Sequence, residues 1–219
     1  MILKISALAH TYGSGNQLKF PDLEIGAGEK VVLVGPSGSG KSSFLNLIAG
    51  VLPLQTGSIC FKGLEYDRLS ARDLDTIRAD HIGVIFQSFN LIPYLTGFEN
   101  ALLGLQFSPR RRSVVGNARQ VIEDLATKLG LSINLLERKQ SELSVGQQQR
   151  VAAIRALIGQ PELIIADEPT SALDPHATQL FMDQLNSSIN PETQAVIVVS
   201  HNPSIIPLFD RILNIGDSS

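Results

Sequence analysis

The sequence has almost no cysteine, no excess of positive charge and no long apolar run. Its single cysteine, Cys60, has no partner for an intrachain disulfide. The formal net charge of −3 gives no general attraction to nucleic acid, so we expect no nucleic-acid partner. No apolar stretch approaches the roughly 18 residues that a membrane span needs, and the N-terminal segment lacks the pattern of a secretory signal. We therefore expect a cytoplasmic protein that reaches a membrane through a partner.

Strand-like segments alternate with helical patterns at both ends of the chain. Val31–Val34, Leu163–Ala166 and Ala195–Val199 are continuous apolar runs, typical of strands buried on both faces of a parallel sheet. Ile2–Leu8 and Leu18–Ile25 read instead as strands with one face buried. This alternation predicts an α/β fold with helices on both faces of a sheet.

The middle of the chain is mostly helical. Gly97–Leu131 and Gly146–Ile158 carry apolar residues at helical spacing. We interpret residues 89–152 as a helical subdomain inserted into one domain of residues 1–219, whose core comprises residues 1–88 and 153–219. The run Arg110-Arg111-Arg112 beside Pro109 is predicted to be a solvated loop.

The most specific motif is a glycine-rich segment that fits G-x-x-x-x-G-K-[ST]. It follows a buried strand and precedes the helical segment Ser42–Ala49, which is the context that this phosphate-binding motif requires. Backbone N–H groups of such a loop and the start of the helix surround phosphate oxygens. Lys41 should reach the β- and γ-phosphates, and the Ser42 hydroxyl should bind Mg²⁺. The predicted nucleotide-binding residues here are Gly35, Pro36, Ser37, Gly38, Ser39, Gly40, Lys41, Ser42 and Ser43.

A second candidate site lies at the end of an apolar strand. Leu163–Ala166 is followed directly by Asp167 and Glu168. In a parallel sheet, functional groups collect at the carboxyl ends of strands. We predict that Asp167 contributes to the Mg²⁺ site and that Glu168 polarises the water that attacks the phosphate.

The segment Leu143–Arg150 reads Leu-Ser-Val-Gly-Gln-Gln-Gln-Arg and resembles the signature of ABC transporter ATP-binding subunits, usually L-S-G-G-Q. Other elements of that family follow the expected order. Tyr12 resembles the aromatic residue that stacks on adenine, and Gln87 resembles the glutamine that senses Mg²⁺ and water. Asp174 resembles the family's D-loop aspartate, and His201 resembles its switch histidine. The resemblance covers essentially the whole chain.

This resemblance implies a RecA-like P-loop NTPase core with an antiparallel β edge, and hydrolysis of Mg²⁺-ATP. Lys41, Gln87, Glu168 and His201 would be the catalytic residues, and Gln87 would also contact the metal. Asp174 would contribute to the nucleotide site. Partners would be a second copy of the chain and transmembrane permease subunits, at the cytoplasmic face of the membrane.

The signature residues also predict a dimer, independently of the family resemblance. Ser144, Gly146 and Gln147 lie at a predicted helix start, which forms a second anion site. If this site and the phosphate loop bind the same γ-phosphate, they must come from different chains. In the family that the chain resembles, two ATP-binding subunits face each other head to tail and enclose ATP between them.

One residue departs from the family pattern. Val145 replaces the first glycine of the signature. A β-branched residue would be strained at positive φ, so we expect Val145 to adopt a helix-start or extended conformation instead.

The segment Phe86–Thr96, leading to Glu99 and Asn100, is similar to lipoprotein-releasing, macrolide-efflux and cell-division ABC ATPases. The resemblance implies an exporter or a system that moves cargo outside the membrane, with permease contacts within residues 89–106. The ATPase of an importer and a low-turnover signalling cassette are the alternatives left open. A soluble member that acts on DNA is disfavoured because the chain has no long coiled-coil insertion. A member that acts on ribosomes is disfavoured because such proteins usually carry two ATP-binding cassettes in one chain, and this chain has one. A GTPase is disfavoured because no N-K-x-D motif occurs.

Overall fold

The computed structural model describes residues 1–13 and 15–216. The strands are β1 (Leu3–Thr11), β2 (Gln17–Lys19), β3 (Leu23–Ile25), β4 (Lys30–Val34), β5 (Thr56–Phe61), β6 (Leu64–Glu65), β7 (Ile82–Ile85), β8 (Leu163–Asp167), β9 (Ala195–Val199) and β10 (Arg211–Asn214). The α-helices are α1 (Lys41–Ile48), α2 (Ala71–His81), α3 (Gly97–Gln106), α4 (Pro109–Val114), α5 (Ala118–Lys128), α6 (Val145–Leu157) and α7 (Pro175–Ser188). Short 3₁₀ helices span Tyr66–Arg68, Ile133–Glu137, Gln140–Glu142 and Pro203–Leu208.

A parallel sheet forms the centre of the molecule. Within the described residues its strand order is β10-β4-β9-β8-β7. Every residue of β9 is buried, and so are the apolar residues at the centre of β4. This matches the continuous apolar runs in the sequence, because both sheet faces are covered. The predicted α/β class with a parallel-sheet core is confirmed.

An antiparallel sheet packs beside this core and is centred on β1. Strand β1 pairs with β2, β3 and β5, and β6 continues the sheet from β5. The prediction of one strand over Leu18–Ile25 is wrong, because two short strands flank Pro21 instead. The chain turns at Pro21 and Asp22, and the Asp22 carboxylate accepts a hydrogen bond from the Ala7 amide at 2.7 Å. Ala7 has a φ of 51° and lies where the register between β1 and β5 shifts.

The middle of the chain is helical, as predicted, but the predicted helix over Gly97–Leu131 is broken. It consists of α3, α4 and α5, and each of the two breaks coincides with a capping residue. Ser108 caps α4 with Pro109 at its first turn, and Asn117 caps α5. Helix α6 runs without interruption across residue 152, so the proposed boundaries of the helical subdomain stay a prediction.

Helix α2 is an addition to the sequence-based prediction. Its polar sequence hides the helical pattern, since Ile77 is its one buried residue. Local hydrogen bonds define its start: Ser70 and Asp73 form a capping box in which each side chain bonds the other residue's backbone amide.

Two apolar clusters lie on opposite sides of the parallel sheet. One is enclosed by the antiparallel sheet and α1 and contains Phe44 and Phe61. The other lies under α3, α5, α6 and α7 and contains Ile154 and Phe181. Among the described residues, no helix has both the length and the apolar character needed to cross a bilayer.

The prediction of a solvated loop at Arg110-Arg111-Arg112 is wrong. These residues form half of α4, and Arg111 is 3% exposed. Its guanidinium donates to the backbone carbonyls of Asp80 and Ile82 at 3.3 and 2.6 Å. Burial lowers the pKa of Arg111 to about 10, with the charge of Arg110 acting in the same direction.

Arg110 contacts a buried carboxylate at the start of β8. Glu162 is 7% exposed and lies 2.7 Å from the Arg110 guanidinium, 2.9 Å from His81 Nδ1 and in contact with the Lys62 ammonium. Burial alone would raise the pKa of Glu162, but the hydrogen bonds from His81 and Lys62 and the charge of Arg110 lower it to about 2. Glu162 thus connects the β5–β6 hairpin, α2 and α4 to the central sheet.

We expect Glu162→Gln to destabilise the fold and to reduce the pH dependence of its stability. The pKa of Glu162 is lower in the folded chain, so its stabilising contribution is complete above pH 4.5 and is lost as the pH falls to about 2. The difference in free energy of unfolding from the native chain should be about 3 kcal/mol at neutral pH and should shrink toward pH 2. Urea denaturation at a series of pH values measures it.

The matched control is Glu24→Gln, which removes a carboxylate from a half-exposed pair with Lys4. It should leave stability almost unchanged, because exposed ion pairs contribute little. A Glu162→Gln variant whose stability depends on pH as steeply as that of the native chain would contradict this account.

Candidate functional site

The glycine-rich segment forms a tight loop between β4 and α1. Gly35 has a φ of 153°, and a Cβ atom there would lie 2.1 Å from the Ile215 carbonyl oxygen. Gly40 caps α1 with a φ of 97°, a conformation that L side chains rarely adopt. The loop therefore needs glycine at these two positions. It connects the end of β4 to the first residue of α1.

The loop carries donors suited to an anion. Lys41 Nζ folds over the loop and donates to the carbonyls of Gly35 and Pro36 at 2.9 and 2.8 Å. The hydroxyl of Ser39 is buried without a hydrogen-bond partner in the described structure. A positive side chain, an unpaired hydroxyl and a helix N-terminus at one loop fit a phosphate group.

The carboxyl end of β8 presents the two acidic residues. Asp167 ends the strand, and Glu168 follows with a φ of 46°, an uncommon conformation for a residue other than glycine. Its amide is held by the Val199 carbonyl at 3.0 Å. Such strain at the end of a strand is characteristic of functional sites.

The side chain of Glu168 has a free acceptor. Its Oε1 atom lies 3.3 Å from His201 Nε2 without hydrogen-bond geometry, and it has no hydrogen-bond partner among the described residues. Burial raises the pKa of Glu168, and this outweighs the lowering by the charges of His201 and Lys41. A buried carboxylate oxygen without a donor is suited to accept a proton from a bound water.

A cleft of about 940 Å³ joins these groups. Of the residues predicted to form the site, Tyr12, Ser37, Gly38, Gly40, Lys41, Ser42, Ser43, Gln87, Asp167, Glu168 and His201 line it. Gly35, Pro36 and Ser39 belong to the loop but lie outside the lining. The cleft therefore brings the ends of four core strands, β4, β7, β8 and β9, to one place.

Tyr12 stands at the edge of this cleft. Tyr12 is 51% exposed, and its ring packs edge-on against His10, with ring centroids 4.7 Å apart. Its hydroxyl lies 3.0 Å from Ser43 Oγ, just beyond the phosphate loop. An exposed aromatic face beside a phosphate site is available to stack on a base.

Three cleft residues have the donor atoms that Mg²⁺ prefers. Ser42, Gln87 and Asp167 supply a hydroxyl, an amide and a carboxylate oxygen. Mg²⁺ is usually bound by one or two carboxylates together with phosphates and waters. The described residues contain no group of three or more His, Cys, Asp or Glu side chains arranged for a metal. The donor set therefore fits Mg²⁺ rather than an all-protein metal cage.

The signature residues lie outside the cleft. Ser144 caps α6 and forms a capping box with Gln147, whose side chain accepts from the Ser144 amide at 2.9 Å. Gly146 follows in the first turn. Asp174 caps α7 by accepting from the Ala177 amide at 2.9 Å. None of these four predicted site residues lines the cleft of its own chain.

The structure adds cleft residues that were not among the predicted site residues. They are Gly15, Asn16, Leu18, Thr170, Ser171, Leu173, Val199, Ser200 and Asn202. Ser200 and Asn202 could have been found, since polar residues that directly follow a buried strand lie at the carboxyl edge of the sheet. Leu18 belongs to β2 of the antiparallel sheet, and Asn16 lies in the loop before it. No local sequence pattern indicates that either residue lines the cleft.

Val145 is the first residue of α6, as the sequence analysis expected for a residue that cannot adopt positive φ without strain. It is 47% exposed, and the capping box spans it.

We expect Val145→Gly to leave the rate of the ATP hydrolysis predicted from the sequence within about threefold of the native rate, because a substitution at an exposed first-turn position changes free energies little. Steady-state phosphate release measures this. An increase by orders of magnitude would instead show that the valine side chain obstructs the native site.

Comparisons with known proteins identify the family. The model of the family described as ABC transporter matches residues 18–171. The chain belongs to the ABC transporter family. It is 36% identical to MJ0796 of Methanocaldococcus jannaschii, an uncharacterized ABC transporter ATP-binding protein, over 99% of this chain and 94% of that protein. It is also 36% identical to the lipoprotein-releasing system ATP-binding protein LolD of Pseudomonas syringae, over 98% of this chain and 94% of that protein.

Other relatives are longer than this chain. The macrolide export ATP-binding/permease protein MacB of Pasteurella multocida is 36% identical over 99% of this chain, which spans 33% of its length. The chain spans 64% of several mycobacterial relatives.

Solved structures resemble the whole fold. A dimeric, post-hydrolysis structure of MJ0796 bound to ADP and Pi has a TM-score of 0.87 and 35% identity, over 98% of this chain and 94% of that chain. The family resemblance and the ATP-binding cassette fold inferred from the sequence are thereby confirmed.

Proposed function

We propose that this chain is the ATP-hydrolysing subunit of a membrane transporter and works as a dimer that drives a separate permease. The observation that carries the proposal is the cleft itself. It combines a phosphate loop, oxygen donors for Mg²⁺ and a buried carboxylate with a free acceptor. This is the set of groups that hydrolysis of a nucleoside triphosphate requires.

The phosphate loop and Tyr12 would hold ATP. Lys41 would place its ammonium group against the β- and γ-phosphates, and the exposed face of Tyr12 would stack on adenine. Ser42, Gln87 and Asp167 would hold Mg²⁺, which neutralises phosphate charge when it is bound. Exclusion of bulk water from the cleft would strengthen these electrostatic contacts.

Glu168 and His201 would act on the reacting groups. Glu168 Oε1 would accept a proton from the attacking water and orient that water in line with the γ-phosphate. The His201 imidazole lies within 3.3 Å of the carboxylate and would hold the γ-phosphate on the same side. The uncommon backbone conformation of Glu168 would fix the direction in which its carboxylate points.

A second copy would complete each site. Ser144, Gly146 and Gln147 form a helix start with an exposed N-cap that lies outside their own cleft. A partner could present them to the γ-phosphate, with Asp174 in the adjoining loop. The similar MJ0796 structure bound to ADP and Pi is described as dimeric, which supports this arrangement.

The relatives support a transport role of the export type. MacB is named a macrolide export protein and LolD part of a lipoprotein-releasing system. We propose that the chain drives an efflux or lipoprotein-releasing type of permease that transmits mechanical force, and that it is held at the cytoplasmic face of the membrane by that permease.

A second groove is the proposed docking site for the permease. Its volume is about 550 Å³, and α2, β7, α3 and α6 border it. Phe86 and Phe107 line it and are 37% and 77% exposed. Leu103 and Gly104 also line it and fall within residues 89–106, where permease contacts are expected. Exposed aromatic side chains in a groove with a mixed polar and apolar lining favour a protein helix as the occupant.

The decisive variant is Glu168→Gln, which keeps the size of the side chain but cannot accept the proton. We expect it to bind Mg²⁺-ATP, to lower the hydrolysis rate at least about a hundredfold and to accumulate as a dimer. Light scattering with Mg²⁺-ATP measures the mass. A strictly monomeric species at high protein concentration would contradict the dimer.

Lys41→Ala is the companion variant. It removes the ammonium group from the phosphate loop, so it should lose nucleotide binding itself and stay monomeric with Mg²⁺-ATP. Equilibrium binding of a fluorescent ATP analogue distinguishes the two variants. Native-like affinity in Lys41→Ala would show that this loop is not the phosphate site.

A further inference from the structure

The loop that carries Gln87 has an unusual backbone. It leaves β7 and closes a turn in which the Phe89 amide donates to the Phe86 carbonyl at 3.0 Å. Phe89 and Asn90 follow with φ values of 58° and 48°. Two successive non-glycine residues in the left-handed region are costly, and such a geometry persists when surrounding contacts hold it.

Arg155 supplies those contacts. Its guanidinium donates to the carbonyl of Phe89 at 2.5 Å and to the carbonyl of Asn90 at 2.6 Å. The two donors of one planar group thus fix two consecutive peptide carbonyls. Lysine could not reproduce this fork, because its ammonium is a single point charge.

Arg155 belongs to α6, and α6 is closely fitted to its neighbours at this position. A Cβ atom on Gly104 of α3 would lie 2.2 Å from the Arg155 carbonyl oxygen. A Cβ atom on Gly83 of β7 would lie 2.2 Å from the Ala156 carbonyl oxygen. The backbone of α6 is therefore in direct contact with α3 and β7. This close packing fixes the position of the Arg155 backbone.

Helix α6 also begins at the signature, with Ser144 as its N-cap. One helix thus carries the signature at its start and, farther along, the arginine that holds the Gln87 loop. Arg155 also lines the groove between α3 and β7. A shift of α6 would consequently move the carbonyls of Phe89 and Asn90 with it.

We infer that Arg155 is a positioning residue for hydrolysis: it fixes the loop that places Gln87 at the Mg²⁺ site and couples that loop to the signature helix. This inference rests on the proposed role of Gln87 as a metal contact. Arg155 itself does not line the proposed nucleotide cleft. Its loss should therefore weaken activation by Mg²⁺ and leave metal-free nucleotide binding intact.

The test compares Arg155→Lys with Arg78→Lys in the full chain. Arg78 is a matched control because it also donates to two consecutive carbonyls, those of Ala49 and Gly50, each at 3.2 Å. We expect Arg155→Lys to raise the Mg²⁺ concentration for half-maximal ATP hydrolysis about tenfold, as substitutions behind metal ligands do. Arg78→Lys should not change it. Affinity for a fluorescent ATP analogue in EDTA should match the native value in both.

A second pair of variants leaves Arg155 in place. Asn90→Ala should raise the Mg²⁺ requirement, because alanine disfavours the left-handed conformation that aligns the carbonyls. Asn90→Gly should not, since glycine adopts it freely. Asn90 is exposed, so both variants should fold, and both lose the same contact with Ser88. This pair decides the question even if Arg155→Lys does not fold.

Gln87→Ala separates failure of this inference from failure of the proposed function. A raised Mg²⁺ requirement in Gln87→Ala, with native values in Arg155→Lys and Asn90→Ala, would overturn the inference alone. A native Mg²⁺ requirement in Gln87→Ala would overturn the metal role of Gln87 and the inference with it. Equal effects of Arg155→Lys and Arg78→Lys would show that the arginine has a general structural role.

Discussion

Burial of the parallel sheet on both faces determines where this chain can place polar chemistry. Apolar clusters lie on either side of the sheet, and β9 is buried along its whole length. A charged side chain in the middle of such a strand would lose its hydration without a partner. Polar groups therefore follow the strands at their carboxyl ends. Gly35 follows β4, Gln87 follows β7, Glu168 follows β8, and His201 comes just after β9.

The site brings together three locally costly features, each of which also occurs elsewhere among the described residues. Gly35 approaches another backbone closely, Glu168 has a positive φ, and Ser39 and Glu168 have buried oxygens without partners. Each feature lowers the stability of the isolated chain, and each would be relieved or used when phosphate and water bind. Natural proteins break local rules mainly at functional sites.

Long-range polar contacts hold the helical part of the molecule to the core. Glu162 joins α4, α2 and the β5–β6 hairpin to the start of β8, and Arg155 fixes the Gln87 loop to α6. Both contacts connect residues that are distant in the sequence. The Arg155 contact provides a physical connection by which a shift of α6 would reach the Gln87 loop at the cleft.

The sequence predicted the α/β class, the family and the main strands, because these depend on continuous apolar runs and on motifs with fixed spacing. It placed Lys41 in the phosphate loop and Asp167 and Glu168 at the end of a strand, and the cleft does unite them. Their chemical roles stay predictions.

Local pattern could not reveal features that depend on tertiary contact. Helix α2 buries a single side chain and therefore has almost no apolar periodicity. Arg111 is buried because distant carbonyls accept its hydrogen bonds, and in sequence it looks like an ordinary surface charge. The division of Leu18–Ile25 depends on Pro21 and on the contact between Asp22 and β1. The role proposed for Arg155 requires knowing the backbone of a loop far away in the chain.

The central claim is that the cleft of one copy is completed by the signature of another. Mixing two inactive variants tests it most directly: Lys41→Ala, which damages the cleft, and Ser144→Arg, which damages the signature. A mixed dimer contains one site with an intact Lys41 and an intact partner Ser144. The account predicts ATP hydrolysis in the mixture and none with either variant alone. Absence of activity in a mixture shown to contain the mixed dimer would contradict it.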